Sequence, residues 1–226
     1  MKHLVVLTGA GTSAESGIST FRDSNGLWEQ YRIEDVATPQ AWQRNPDLVT
    51  EFYNQRRLQL NDVQPNNGHL ILAQLEKHFR VSIITQNVDN LHERAGSSNI
   101  IHLHGELTKM RSECCVNEIG QIAQSTSSSC EHGKPLRPHI VWFGEDVPLL
   151  QDAADLVEEA DIFMVLGTSL EVYPAAGLLY NVPLNAERWV IDPKVPDLAT
   201  KLGFNAIASG ASEGMQRWCE FQKISL

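Results

Sequence analysis

The pattern of apolar and polar residues divides the chain into short runs of two kinds. Residues 4–7, 81–84, 162–166 and 189–191 are unbroken apolar stretches, rich in aliphatic and β-branched residues and each closed by turn or polar residues. Runs that short, without alternation, predict strands buried on both faces, as in a parallel sheet. Between them, residues 47–58, 68–78, 149–159 and 211–221 carry helical patterns. Strands alternating with helices predict an α/β fold, a Rossmann-like parallel sheet with helices on both faces. Such sheets bind ligands outside the carboxyl ends of their strands, which is where the polar motifs of this chain fall.

Two stretches interrupt the alternation. Residues 30–75 form a long, mostly helical crossover. Residues 107–137 are polar, include a Ser/Thr tract at 125–129, and show no apolar period. Both are read as insertions that pack together. The expected organisation is a Rossmann-like domain of residues 1–29, 79–106 and 138–226, with a small lobe of residues 30–78 and 107–137 inserted in it.

Length and charge narrow the function. With 226 residues the chain can bury a sizeable core. It has no apolar run near the 18 residues a membrane span needs. The run after His3 is too short for a signal peptide, so a cytoplasmic location is expected. A formal net charge of −10 argues against a sequence-independent grip on nucleic acid, which needs basic surface. It suits a locally basic partner, such as a lysine-bearing segment. The four cysteines are Cys114, Cys115, Cys130 and Cys219. They are too few and too unevenly placed for a secreted disulfide framework, and the first three raise the question of a metal.

Five motifs carry candidate chemistry. The first strand runs into Gly9-Ala10-Gly11-Thr12-Ser13-Ala14, a glycine turn opening a helix. Gly9 permits the turn, Gly11 lets backbone approach a pyrophosphate, and Ala14 holds the close-packing position of a dinucleotide fingerprint. The acidic residue that ends the second strand of a standard dinucleotide unit is missing. In its place stands a polar loop, Thr20-Phe21-Arg22-Asp23, expected to fold over the cofactor. After the second strand come Gln86-Asn87-Val88-Asp89-Asn90, whose amides and carboxylates suit ribose hydroxyls and a carboxamide. In Ile101-His102-Leu103-His104-Gly105, alternation puts both histidines on one face. His104, at a domain junction, is a candidate base because imidazole titrates near neutral pH. The segment from Leu136 to Glu145 has an apolar centre, Val141-Trp142-Phe143, suited to a strand whose edge accepts an extended peptide. Gly167-Thr168-Ser169, at another strand end, suits phosphate or ribose.

In this order, the segments resemble the sirtuin family over almost the whole chain. Gly9 to Gly17, Thr20-Phe21-Arg22, Gln86 to Asp89, His104-Gly105 and Val141 to Glu145 carry most of the resemblance. Within the family the chain is most similar to bacterial members of the desuccinylase class, whose Tyr-x-x-Arg is matched by Tyr53 and Arg56. The resemblance implies an NAD-dependent lysine deacylase. The acyl oxygen attacks the nicotinamide ribose, nicotinamide leaves, a histidine acts as base, and O-acyl-ADP-ribose and free lysine result. His104 would be that base. Gly9, Ala10, Gly11, Ser13, Ala14, Gln86, Asn87, Val88, Asp89, Gly167, Thr168 and Ser169 would hold the cofactor, with Asp192, Pro193 and Ala211 at its adenosine end. The resemblance also assigns Thr20, Phe21, Arg22 and Trp28 to the cofactor, with Phe21 and Arg22 guarding the reactive pocket. Val141 and Phe143 would line the acyl-lysine tunnel, and Tyr53 and Arg56 would meet a carboxylate on the acyl group. Ile33 narrows the tunnel mouth, so activity on both acetyl- and succinyl-lysine is expected. The partners implied are acylated lysines of cellular proteins, with no nucleic acid and no membrane.

The chain departs from the family at the metal. Four sulfurs close a structural zinc site, but register leaves only Cys115 and Cys130 in ligand positions. Ser112 and Ser127 stand where their partners belong, with Cys114 and His132 nearby. The expectation is a zinc-ribbon-like remnant that holds by packing. Asp192 stands where the family commonly has Asn. Two other readings stay open from the residues: an ADP-ribosyltransferase, or a non-catalytic NAD or ADP-ribose-binding module.

Overall fold

The computed structural model describes residues 1–18, 31–112, 119–121, 129–130 and 132–226. Its main sheet has six strands in the order β3-β2-β1-β7-β8-β9. They are β1 (His3–Thr8), β2 (Arg80–Thr85), β3 (Ile100–His102), β7 (Ile162–Leu166), β8 (Glu187–Ile191) and β9 (Asn205–Ile207). Every pairing in this sheet is parallel. Counted along the sheet this is the Rossmann order, two wings that grow outward from β1 and β7. The polarity of the wings reverses there, opening a crevice at the carboxyl ends of those two strands.

Alternation within the buried runs splits the core in two. Val5, Leu7, Phe163, Val165 and Val190 face a layer formed by α7 (Leu150–Glu158) and a 3-10 segment (Ala175–Asn181). Leu4, Val6, Met164, Leu166 and Ile191 face α5 (Asn67–Leu75) and α9 (Ala211–Phe221). Burial on both faces is why these strands read as unbroken apolar runs.

The crossover expected over 30–75 is helical in its described part. It contains α2 (Ile33–Val36), α3 (Pro39–Arg44), α4 (Pro46–Gln59) and α5. Side chains set three starts: Thr38 Oγ accepts from Ala41 N, Asn45 Oδ1 from Leu48 N, and Asn66 Oδ1 from Gly68 N. Proline follows the cap in the first two, where its missing N–H costs nothing. Helix α4 turns Val49, Phe52 and Tyr53 inward. They join Trp42, Leu107, Ile140 and Trp142 in a third apolar cluster.

The polar stretch after His104 holds more order than its composition suggests. An antiparallel sheet in the order β5-β4-β6 joins β4 (Gly105–Ser112), β5 (Ile119–Gln121) and β6 (Leu136–Ile140). No apolar period announces β4, because only its ends and Leu107 are buried. Three short helices, α1 (Ala10–Ala14), α6 (Leu91–Ala95) and α8 (Asp197–Lys201), complete the described elements.

Candidate active site

The crevice is built from two strand-end turns pressed together. A Cβ on Gly167, whose φ is +62°, would lie 2.3 Å from Thr12 N, and one on Gly11 would lie 2.9 Å from Gly167 O. Gly11 N donates to Gly167 O (2.8 Å) and Gly9 N to Leu166 O (3.1 Å). The glycines of the first motif therefore serve first to let the β1 and β7 turns touch. Since the Gly11 N–H is engaged, any approach of a phosphate to Gly11 is through its bare Cα.

Across these turns lies the loop after β2. Asn87 Nδ2 donates to Gly9 O and to Ser13 Oγ, each at 3.0 Å. Ser13 Oγ donates to Asp89 Oδ2 (2.9 Å), and Asp89 Oδ1 accepts from Leu91 N (3.1 Å). Asn87, Ser13 and Asp89 are all buried. Both Asn87 N–H groups are thus engaged, and Oδ1 is its remaining polar atom. Burial pushes the Asp89 carboxyl above its usual range, against the pull of the Leu91 and Ser13 bonds. Gln86 Nε2 donates to Thr168 Oγ (3.2 Å), tying the loop to the β7 turn.

Strand β3 ends at His102 and His104 lies in the turn that follows, so strand alternation does not extend to it, and the two histidines differ in state. His104 Nδ1 lies 3.0 Å from Gln86 O. A carbonyl only accepts, so Nδ1 carries the proton and Nε2 keeps its lone pair. Burial lowers the His104 pKa, so the ring is neutral at pH 7. His102 Nδ1 faces Asn87 O (3.1 Å) and Nε2 faces Glu93 Oε1 (2.6 Å). Burial opposes a charge on His102, but the Glu93 carboxylate outweighs it and raises the pKa. Glu93, His102 and Glu106 bring ligand atoms within 4.8 Å of one another. Lys109 pairs with Glu106, and a proton shared with Glu93 satisfies His102, so the chain itself neutralises this cluster.

On the opposite side, Tyr53 is 1% exposed, and its hydroxyl accepts from Trp142 Nε1 at 3.0 Å. Burial raises its pKa to about 12. Arg56, one turn on, is half-buried with its Cζ 5.9 Å from the Phe52 ring centroid. Burial lowers its pKa, and the neighbouring Tyr53 and Asp89 partly restore it. Glu51, the surface acid within reach along α4, accepts from Gln55 instead (2.9 Å). Val141 N donates to His104 O (2.9 Å), which ties the segment after β6 to His104. Phe143 is 46% exposed.

The remaining expected positions are more spread out. Asp192 follows β8, with Oδ1 accepting from Lys194 N (2.8 Å), and Pro193 is exposed. Ala211 opens α9 and is buried. Ser169 and Ala14 are half-buried and Ala10 is exposed at the crevice turns. Thr20, Phe21, Arg22, Trp28, Cys114, Cys115 and Ser127 lie outside the described residues. Cys130 is half-buried and forms no disulfide, and Ser112 is buried. A serine hydroxyl does not ionise near neutral pH, so Ser112 is a poor substitute for a thiolate ligand.

Two arrangements were not read from sequence. One is the His102–Glu93 bridge. The other is the pair formed by Arg137 (3% exposed) and Glu145, at 2.7 and 2.9 Å. A signal existed for the second, since an arginine and a glutamate flank the apolar centre of the 136–145 segment.

With this geometry in hand, the matches to known proteins fall into place. The Sir2 family model matches residues 9–174. The chain belongs to the Sir2 family. An "NAD-dependent protein deacylase" of Bacteroides thetaiotaomicron is 57% identical over 224 residues, 96% of each chain. The structure is similar to that of a Sir2 homologue–NAD complex, with a TM-score of 0.88 at 41% identity, covering 98% of this chain and 90% of that one. It is also similar to a Sir2 protein bound to an acetylated peptide, with a TM-score of 0.81 at 29% identity and coverage of 98% and 94%. Among the described residues no helix is long and apolar enough to cross a membrane.

Proposed function

We propose that this chain is an NAD-dependent protein-lysine deacylase that removes acetyl and succinyl groups, with His104 as its general base. The observation that carries this reading is the tautomer of His104: Nδ1–H held by Gln86 O, and Nε2 without a protein partner among the described residues. A neutral, oriented imidazole at the crevice of a parallel sheet is suited to take a proton. The name of the Bacteroides relative supports the reaction class. The peptide in the Sir2 complex supports an acylated lysine as substrate.

The residues of the crevice fit NAD. Asn87 offers Oδ1 to a ribose hydroxyl, and Asp89 offers its carboxylate to the carboxamide N–H of nicotinamide. Thr168, Ser169 and Gln86 offer polar atoms on the other side, and Asp192 offers its second oxygen to the adenosine ribose. When bound, NAD supplies an electrophilic ribose carbon and nicotinamide as leaving group. His104 then takes a proton at Nε2 from a ribose hydroxyl. The main sheet and its helices hold the cofactor, while residues 30–78 and 107–137 form a lobe that presents Tyr53 and Arg56 to the acyl group. Thr20, Phe21, Arg22 and Trp28 complete the cofactor site, Val141 and Phe143 flank the acyl-lysine, and the substrates are cytoplasmic proteins.

The test is to incubate the protein with NAD and one lysine peptide in acetylated, succinylated and unmodified forms. Nicotinamide and deacylated peptide should appear in equal amounts with the first two and not with the third. NAD cleavage that labels protein without needing an acyl group would instead indicate an ADP-ribosyltransferase. No cleavage would indicate a binding module.

A further inference from the structure

The Tyr53 hydroxyl is half satisfied. It accepts a hydrogen bond from Trp142 Nε1 at 3.0 Å, and no acceptor for its own proton is present among the described residues. The side chain is 1% exposed, and burial holds its pKa at about 12, so the phenol keeps that proton at any working pH. A buried O–H without an acceptor loses the hydrogen bond it would make in water, a penalty that a ligand oxygen would remove. An indole N–H only donates. Its bond to Tyr53 therefore engages the oxygen as acceptor and leaves the hydroxyl one role, that of donor.

Trp142 is itself held on three sides. The guanidinium of Arg137 lies 3.4 Å from its ring centroid, the Trp142 backbone N–H donates to Glu145 Oε2 at 2.8 Å, and Trp42 packs against the ring at a centroid distance of 5.9 Å. Arg137 in turn is fixed by Glu145 and by Ile140 O. The indole thus presents its N–H from a fixed position.

We propose that Trp142 is a specificity-positioning residue, which fixes the Tyr53 hydroxyl as a pure donor and so selects acyl groups that end in an oxygen acceptor. The proposal rests on the reading that Tyr53 meets the acyl group. It adds that the distal atom is recognised as an acceptor, so that a neutral ketone benefits as well as a carboxylate. Acyl groups ending in an alkyl chain or an ammonium gain nothing from this hydroxyl.

The experiment is a double-mutant cycle of Trp142→Phe and Tyr53→Phe, read as kcat/KM on succinyl- and acetyl-lysine peptides. Phenylalanine keeps an aromatic ring but removes the N–H along with the pyrrole part of the indole, and the Tyr53→Phe background separates the loss of the hydrogen bond from the loss of packing. Trp142→Phe should lower the succinyl-to-acetyl ratio about 2- to 12-fold, the range of one neutral hydrogen bond. In a Tyr53→Phe background it should lower that ratio no further. Equal losses on both peptides, or a loss in the ratio that persists without the Tyr53 hydroxyl, would overturn the role of Trp142. If Tyr53→Phe itself leaves the ratio unchanged, the placement of the acyl end at Tyr53 fails, and the inference with it.

Should Trp142→Phe fail to fold, acyl groups on the unaltered protein answer the question. A 4-oxopentanoyl-lysine peptide should outperform its pentanoyl counterpart by a similar factor, and the advantage should vanish in Tyr53→Phe. No advantage for the ketone would overturn the proposal.

Discussion

The two sides of the crevice are held by different means. On the sheet side, Asn87, Asp89 and the two histidines are tied to backbone of the segments after β1 and β2, at Gly9 O, Leu91 N, Gln86 O and Asn87 O, and Ser13 bridges the Asn87 and Asp89 side chains. Moving any of these would require moving the strands. On the other side, the Tyr53 hydroxyl meets only a side chain, Trp142, which lies against Arg137, itself held by Glu145 and Ile140 O. On the proposed function, the base and the cofactor contacts stand at the strand ends of the main sheet, and the choice of acyl group would rest on a stack of side chains. A fold arranged this way can change its substrate range without disturbing its base.

The sheet side should therefore be the costlier to disturb. In His104→Ala the Gln86 carbonyl loses its partner, but the strands keep their pairing, so the variant should fold. Deacylation should fall by about 10²- to 10⁴-fold, the usual loss for a general base. The unaltered enzyme should show an acid limb in kcat/KM governed by a pKa below 6.5, because burial lowers that of His104. A folded His104→Ala protein with near-normal turnover would remove the base from the scheme.

The same side stores a response to acid. His69 on α5 and His92 on α6 stack at a centroid distance of 4.8 Å. Neither His69 nitrogen has a partner, and its pKa falls to about 4 by burial. His92 is lowered by burial first, and by the adjacent His69 and His102. A histidine with a lowered folded-state pKa binds its proton more readily when unfolded. Stability should hold above pH 6.5 and decline as pH falls toward 4. From His69 alone the loss approaches about 3 kcal/mol, at about 1.4 kcal/mol per pKa unit. His69→Leu should flatten this decline in urea titrations. An unchanged slope would mean that the acid sensitivity lies elsewhere.

Lobe-side changes should touch selectivity more than rate. Arg56→Met keeps an apolar stem against Phe52 and removes the guanidinium. The ratio of succinyl to acetyl kcat/KM should drop about 10- to 100-fold, the range for a charge-assisted hydrogen bond to a carboxylate. Equal losses on both peptides would place Arg56 in folding or cofactor binding.

This contrast also decided what could be read from sequence. Strands buried on both faces appear as apolar runs, so β1, β2, β7 and the core of β8 were legible, and so were the polar residues that follow β1, β2 and β7. The three-residue β9, with only Ile207 buried, left no period to find. Helix α5 ends at Leu75, short of the expected 78, because Leu75 O accepts from both His78 N and Phe79 N and closes the last turn. The β5-β4-β6 sheet was missed because β4, its central strand, is half-buried and largely polar. The family register placed His104 and Tyr53, but the state of each depends on partners far along the chain. Gln86 O fixes the tautomer of one, and Trp142, 89 residues away, fixes the donor role of the other. No local pattern encodes such pairs.

The smallest expected effect concerns zinc, and it separates packing from metal as the support of the lobe. The lobe's apolar cluster, with Phe52, Tyr53, Leu107, Ile140 and Trp142, is built from the crossover helices and β4 and β6. None of it depends on Cys130. A closed structural site needs four ligands of thiolate or imidazole type, and Ser112 supplies a hydroxyl where one is required. Purified protein should thus contain well under one zinc per chain by elemental analysis, and a strong chelator should leave its Tm unchanged. Stoichiometric zinc with chelator-induced unfolding would mean that Cys114 and His132 together complete a four-ligand site with Cys115 and Cys130. The lobe would then be clamped by metal as well as packed. In that case Cys130→Ser should reproduce the chelator's effect, whereas in a metal-free lobe it should leave both Tm and the succinyl-to-acetyl ratio where they were.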